Sequence, residues 1–481
     1  MINFEFKDNL TMLTDFYEIT MANGYFEYGM SDQIGYFDMF FRSVPDDGGF
    51  AIMVGVKQLC EYIQNMKFTK EDIEFLRSKK QFSEGFLNYM ENFKFECDIW
   101  AVPEGTPIFP HEPIVTVRGP MIQAQFVETM ILLTVNHQSL IATKSNRIVR
   151  AADGRPVFEF GSRRAQGAYG AIYGARAAYI GGCAGTACTI AEEMFGIPAV
   201  GTMAHSWIQA FDSEYDAFKA YAELYPDNCV LLIDTYNVLK SGLPNAIKAF
   251  NECLIPKGYR PKGVRIDSGD ITYLSKKARK ILDDAGFEDC IIMASNSMDE
   301  YIIRDTLIQG AKIDSFGVGE RLITSKSEPV FGGVYKLVAV EKDNHIIPKI
   351  KKSENVSKIT TPGFKTVYRL ISNESGKAVA DVVTLFDEVI DGTKEYVLFD
   401  PEHTWKKKTV SNFTAKKLMV QLFDKGNCIY ESPSLKDIQN YCKEQIGLLW
   451  DEVLRFENPH TYYVDLSRDL WELKNKLLEE N

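Results

Sequence analysis

Residues 157–207 read VFEFGSRRAQGAYGAIYGARAAYIGGCAGTACTIAEEMFGIPAVGTMAHSW. An apolar run, Val157 to Phe160, ends in Gly161 and is followed at once by Arg163 and Arg164. A second run, from Pro198, ends in Gly201-Thr202-Met203-Ala204-His205-Ser206. Short apolar runs bounded by glycine predict buried strands. Arginine and histidine just past such ends sit where α/β folds place substrate sites.

The same rhythm continues outward. PVFEF (156–160), PAVGTM (198–203), CVLLID (229–234), GVRID (263–267), CIIMAS (290–295) and AKIDSFGV (311–318) recur at the spacing of βα units. Helical stretches over 165–180, 207–225, 242–254 and 270–285 lie between them. Nearly continuous apolar strands linked by helices predict a parallel sheet covered on both faces. Each run ends in polar or glycine-rich residues, such as Asp234-Thr235-Tyr236, Asp267-Ser268-Gly269-Asp270, Ser295-Asn296-Ser297 and Gly317-Val318-Gly319-Glu320-Arg321. Polar residues at six successive strand ends describe the active face of a β/α barrel. An open doubly wound sheet would gather its site at one switch point. The expected fold is therefore α/β, an irregular β/α barrel with an N-terminal α+β sandwich-like domain and a C-terminal extension.

The flanking regions set the expected boundaries. Residues 1–120 combine a helix over 14–28, a strand over 36–44, helices over 50–66 and 69–94, and short strands over 97–118. A largely buried helix from Met121 leads into the barrel, which spans 121–370 with 121–155 as the linking helix. After about 330 the βα rhythm stops. Short strands from 371 and helices near 434–456 and 467–479 make a C-terminal domain, 371–481.

Composition excludes several classes. The chain of 481 residues exceeds what one hydrophobic core usually serves. A net charge of −12 repels nucleic acid and anionic membranes. Polyphosphate substrates would need a local cationic cluster against that field. Nine scattered cysteines, odd in number and without C-x-x-C spacing, predict reduced thiols in a cytoplasmic protein. The opening residues carry no basic-then-apolar signal pattern, and the most apolar stretch, Met121 to Ile141, contains Gln123, Gln125, Glu128, Asn136, His137 and Gln138.

Of six histidines, His205 alone follows a strand-end glycine turn with small neighbours. It is a candidate general base or phosphoryl-accepting nucleophile, or else a loop cap. Arg163 or Arg164 can fork onto a carboxylate or phosphate, or pair with Glu159. Gly317, Gly319 and Arg321 suit phosphate at a strand end. Gly181 to Ala187 lacks a Walker lysine and serves either phosphate binding or close packing. Asp234, Asp267 and Asp270 can orient His205, meet ribose, hold Mg²⁺ or cap helices. Arg150, Arg265 and Lys365 complete the candidate phosphate contacts.

Seven motifs in this order, LTDFYEITM, FEFGSRRAQG, GTMAHSW, LLIDTYN, RIDSGD, FGVGERL and TTPGFK, together with ENPHTYYVDLS at 457–467, resemble nicotinate phosphoribosyltransferase, a type II phosphoribosyltransferase. The resemblance implies formation of nicotinate mononucleotide and pyrophosphate from nicotinate and phosphoribosyl pyrophosphate, in NAD salvage. It implies ATP hydrolysis coupled through a phosphohistidine, with Mg²⁺ carried by the phosphates. Carried over by motif, His205 accepts the phosphoryl group and Asp234 holds its imidazole. The implied substrate-binding set is Tyr17, Phe160, Arg163, Ser206, Arg265, Asp267, Ser268, Gly269, Asn296, Gly317, Gly319, Arg321 and Thr360. Arg163 would take the carboxylate, Phe160 one face of the pyridine ring, and Tyr17 of a partner subunit the other. The implied assembly is a head-to-tail homodimer with sites at the interface.

The amide-specific relative, nicotinamide phosphoribosyltransferase, is one alternative, and SRRAQG favours the acid. A non-catalytic nucleotide-binding barrel is another, against which the intact His205, Asp234, Arg163 and Asp267 set argues. Quinolinate phosphoribosyltransferase chains are shorter and lack the ATP-coupled histidine. An unrelated barrel hydrolase would place histidines at several strand ends rather than one.

Overall fold

The computed structural model describes residues 9–480. They form two compact units. One runs through Leu140 and resumes at Val330, and the other is Ile141–Pro329.

The Ile141–Pro329 unit carries the parallel sheet. Its strands are Val157–Glu159, Gly185–Thr186, Val230–Leu232, Gly263–Ile266, Ile291–Ala294 and Ser315–Val318. In space, Val157–Glu159 lies between Gly185–Thr186 and Ser315–Val318, and Ile291–Ala294, Gly263–Ile266 and Val230–Leu232 follow in turn. All five pairings are parallel. A further parallel bridge joins Thr186 to Ala199. The first long strand thus pairs with the last, the order of a β/α barrel. Among the described residues no backbone pairing joins Ala199 to Val230–Leu232. The order is compatible with the expected irregular barrel, with one seam unpaired.

Local sequence explains the helices between. Ile271–Asp284 buries Ile271, Ser275, Ala278 and Leu282, one stripe at helical spacing. Asp270 starts it by accepting from the Tyr273 amide at 2.8 Å. Expected 207–225 divides into His205–Gln209 and Glu214–Leu224, the second capped by Ser213. Expected 242–254 is an α-helix, Leu243–Ala249, between two π-helical turns, Val238–Gly242 and Phe250–Leu254.

The other unit contains a seven-stranded antiparallel sheet. Its order is His345–Pro348, Val334–Lys342, Ile34–Phe40, Val115–Pro120, Asp98–Ala101, Val420–Asp424 and Asn427–Cys428. A second sheet joins Phe413–Lys417, Lys365–Ser372, Ala378–Leu385 and Val464–Leu466. The compact units therefore divide at 140 and 329 rather than at the expected 120 and 370. The reason is strand pairing: Val334–Lys342 pairs with Ile34–Phe40, and Val420–Asp424 with Asp98–Ala101. The C-terminal segment completes a sheet begun near the N-terminus. One apolar core draws on both segments, from Phe37 and Val117 to Leu422 and Leu466.

Buried ion pairs lie within this unit. Arg369 and Asp381 are fully buried and pair at 2.6 Å. Tyr462 donates to Asp381 at 2.9 Å, and Asp381 beside buried Glu112 helps burial hold the Glu112 carboxyl well above the carboxylate range. Lys365 pairs with Asp38 at 2.8 Å, and both are buried. This occupies Lys365, which is therefore structural and not a phosphate contact. All nine cysteines are free thiols, eight of them buried. No helix of the described residues is long and apolar enough to cross a membrane.

Candidate active site

The strand ends of the Ile141–Pro329 unit enclose a cavity of about 410 Å³. Phe160, Arg163, Arg164, Thr202, Arg265, Asp267, Ser295, Asn296, Gly317, Gly319 and Arg321 line it, among others. Its charged lining is Arg163, Arg164, Arg265 and Arg321 against Asp267 and Glu320. An excess of guanidinium in a chain of net charge −12 marks an anion site.

Arg163 sits on the 3-10 turn Ser162–Arg164, which follows the strand Val157–Glu159. Its side chain is exposed and has no hydrogen bond or ion pair among the described residues. The expected alternative, a pair with Glu159, does not occur. Glu159 is fully buried and accepts from the Gly161 amide and from Thr186 Oγ1 at 2.6 Å. Burial raises its carboxyl, against the pull of those two donors. Arg164 is 4.0 Å from Glu320.

Phe160 presents an aromatic wall. Its amide donates to Val318 at 2.8 Å, and the Arg265 guanidinium lies 5.7 Å from its ring centre. Gly317 is there because of that ring: a Cβ on it would sit 2.5 Å from the Phe160 ring. Arg265, on the strand Gly263–Ile266, is held on three sides. It donates to Ser295 at 2.7 Å, Thr202 at 3.2 Å and Asp267 at 3.1 Å. Ser295 in turn donates to Asp267 Oδ1 at 2.5 Å. Arg321 donates to Asp299, whose other oxygen caps the helix Glu300–Ile308.

His205 opens the helix His205–Gln209 beside the cavity wall at Ala204. Its Nδ1 is 3.0 Å from Thr235 Oγ1, and its Nε2 is 3.9 Å from Asp267 Oδ2. Asp234 does not hold the imidazole, contrary to the motif-based expectation. Its Oδ2 accepts from the Asp267 amide at 3.1 Å and from Ser268 Oγ at 2.6 Å. Asp234 instead ties down the loop carrying Asp267, and Gly269 turns that loop at φ +81°. Asp270 is a helix cap. The Gly181–Ala187 run packs rather than cradles: a Cβ on Gly185 would meet the Pro198 carbonyl at 2.6 Å, and one on Gly181 the Ala142 carbonyl at 2.5 Å.

Five residues of the expected binding set do not line this cavity: Ser206, Ser268, Gly269, Thr360 and Tyr17, of which Ser268 and Gly269 lie on the loop that Asp234 ties down. Ser206 is exposed next to His205. Thr360 belongs to the other unit, is buried, and accepts from the Lys351 amide at 2.9 Å. Tyr17 also lies in that unit, on the helix Phe16–Glu27. It borders a groove of about 350 Å³ with Gln125, Glu128, Tyr335 and Lys336. Partial burial, and a hydrogen bond to Glu128, raise its phenol. Arg150 donates to Asn146 at 3.0 Å, and burial, with Arg147 nearby, lowers it to about 10. Motif inspection missed Thr202, Thr235 and Ser295. Thr235 and Ser295 are hydroxyls just past strand ends, and Thr202 lies in the loop before His205.

Among the described residues no group of three or more His, Cys, Asp or Glu is arranged for a metal ion. Asp267 offers one carboxylate to the cavity, and Asp234 Oδ1 is buried without a hydrogen-bond partner. That donor set fits Mg²⁺ bound mainly by phosphates with one or two carboxylates.

Two family models match the chain. The nicotinate phosphoribosyltransferase N-terminal domain matches residues 12–136, and the C-terminal domain matches residues 364–474. A Bacillus subtilis protein named nicotinate phosphoribosyltransferase is 43% identical, covering 100% of this chain and 98% of its own length. The chain belongs to the nicotinate phosphoribosyltransferase family. A Dictyostelium discoideum protein named nicotinate phosphoribosyltransferase is 34% identical over 97% of this chain and 88% of its own length. The crystal structure of human nicotinic acid phosphoribosyltransferase superposes with TM-score 0.84 at 28% identity, covering 97% of this chain and 100% of that one. Neither family model spans 141–329, the unit that carries the cavity, whereas the Bacillus subtilis relative aligns across it.

Proposed function

We propose that this chain joins nicotinate to phosphoribosyl pyrophosphate, releasing pyrophosphate, and couples the reaction to ATP hydrolysis through a phosphoryl group on His205. The observation that carries the reading is Arg163: an unpaired guanidinium fork at a strand end, beside the Phe160 ring, in a cationic cavity. Full-length identity to proteins of that name supports it.

The residues divide the work. Arg163 forks onto the nicotinate carboxylate, and Phe160 stacks on the pyridine face, with Tyr17 of a second copy opposite. An amide leaves the Arg163 charge unpaired, so the site discriminates against it. Pyrophosphate departs from C1 through an oxocarbenium-like state. Arg265 and Arg321 face the leaving phosphates, with the Gly317 and Gly319 backbone, and Asp267, Ser268, Gly269 and Asn296 face the ribose. Asp267 would help hold Mg²⁺ carried by the phosphates, and the ion would supply charge neutralisation for the departing pyrophosphate. Asp234 keeps Asp267 in place. His205 Nε2 takes the γ-phosphoryl group of ATP and later yields it to water, so that ATP biases affinities and equilibrium. Two copies assemble head to tail.

The test is His205→Ala, assayed for nicotinate mononucleotide with and without ATP. The expected result is loss of ATP stimulation, with slow ATP-independent product formation remaining. Equal loss of both activities would place His205 in ribosyl transfer and refute the coupling.

A further inference from the structure

We infer that Thr235 is the positioning residue for His205: its hydroxyl oxygen accepts the Nδ1 proton and leaves the Nε2 lone pair free for phosphoryl transfer. The inference deepens the phosphohistidine reading and rests on it.

A neutral imidazole carries one proton, and the nitrogen that holds it cannot attack. Attack through Nε2 therefore requires the proton on Nδ1. The Nδ1 to Thr235 Oγ1 distance of 3.0 Å is that of a hydrogen bond whose direction the tautomer sets, and the hydroxyl oxygen accepts when Nδ1 carries the proton. Nε2 is 3.9 Å from Asp267 Oδ2, too far for such a bond. Asp267 Oδ1 is already occupied by Arg265 and Ser295. The other nearby carboxylate, Asp234, is bound to the Asp267 amide and Ser268. Among the described residues, Thr235 is thus the group hydrogen-bonded to the ring.

A hydroxyl suits the position electrostatically. A carboxylate on Nδ1 would add a second negative charge where a triphosphate must approach, beside Asp267. Threonine orients the ring and adds none. Its Cγ methyl and branched Cβ also limit χ1, so the oxygen keeps one direction. In the step itself the Nε2 lone pair forms the N–P bond to the γ-phosphorus. The P–O bond to the β-phosphate breaks, its electron pair leaves with ADP, and Nδ1 keeps its proton on Thr235.

The test uses full-length protein labelled with nitrogen-15 histidine, as wild type, Thr235→Val and Thr235→Ser, with His205→Ala assigning the resonance. Long-range proton–nitrogen spectra read the tautomer, and phosphorus-32 from the γ-position of ATP reads phosphoryl uptake. We expect the Nδ1–H tautomer in wild type. Thr235→Val should lower the Nδ1–H to Nε2–H ratio at least threefold and slow uptake at least tenfold, with Thr235→Ser within twofold of wild type. An unchanged tautomer ratio in Thr235→Val, or wild-type uptake in it, would overturn the inference. Absence of uptake in wild type, with a tautomer that still depends on Thr235, would overturn the phosphohistidine reading and leave the positioning role standing. If the valine variant does not fold, Thr235→Ala is read in the same way.

Discussion

Arg369 and Arg163 carry the same guanidinium and stand in opposite states. Arg369 is fully buried, forks onto Asp381 at 2.8 and 2.6 Å, and gives a further hydrogen bond to Pro107 at 2.9 Å. Arg163 is exposed at a cavity and touches no carboxylate. One charge is occupied by the fold and the other is left open for a ligand. The contrast separates structural from functional arginines better than burial or sequence motif alone, because it asks where each donor goes. Arg265 is intermediate: three protein contacts fix it while its face stays against Phe160.

Exchange of roles between these two arginines would break the comparison. Arg369→Ala leaves Asp381 buried and unpaired, a loss of about 3–5 kcal/mol. Chemical denaturation should show that loss, while the KM for nicotinate in the folded fraction stays near wild type. Arg163→Ala should do the reverse. Losing a charged hydrogen-bonding partner costs about 1.5–3 kcal/mol, which is about a tenfold to hundredfold rise in nicotinate KM. The KM for phosphoribosyl pyrophosphate should move much less, and stability should stay within about 0.5 kcal/mol. A defect mainly on the pyrophosphate side would move the carboxylate role elsewhere.

Gly317→Ala sharpens the account of the aromatic wall. The added Cβ meets the Phe160 ring, and overpacking of this kind costs about 1–3 kcal/mol. Nicotinate KM should rise as the ring is displaced, and Phe160→Leu in the same chain should relieve the clash without restoring stacking. An unchanged KM in the single variant would mean the ring does not bind substrate.

The smallest effect concerns pH. Burial raises the Glu18 carboxyl to about 7, with Glu128 and Asp15 adding to the rise and the Thr129 and Thr14 hydroxyls opposing it. A carboxyl raised on folding favours the protonated native state. Its contribution is complete below the unfolded value of about 4.5 and is lost as pH rises through about 7. Glu18→Gln should therefore flatten the fall in Tm between those limits. A profile identical to wild type would show that Glu18 titrates as an ordinary carboxylate.

Much of this was legible in the sequence. The runs at 156–160, 229–234, 263–267, 290–295 and 311–318 each became a parallel strand, because continuous apolar β-branched residues suit a sheet covered on both faces. The strand Gly185–Thr186 was not legible: two small residues carry no periodicity, and its neighbours read as a glycine loop. The division into compact units was not legible for a related reason. Pairing of Val420–Asp424 with Asp98–Ala101 joins segments more than 300 residues apart, and no local pattern encodes it. At the site, strand-end position selected Arg163 and Asp267, while Arg265, inside its strand, came from the family resemblance. Strand-end position did not distinguish Asp234 from Thr235, since adjacent residues leave a strand on opposite faces and only the fold decides which meets His205.

The central claim is that an unpaired arginine selects an acid and a neighbouring imidazole couples ATP to its use. The most direct measurement supplies equimolar nicotinate and nicotinamide to the protein with phosphoribosyl pyrophosphate, Mg²⁺ and ATP, and quantifies both mononucleotides and ADP. The account predicts nicotinate mononucleotide almost alone, with ADP accumulating alongside it. Comparable amounts of the amide product would contradict the role given to Arg163, and product without ADP would contradict the coupling.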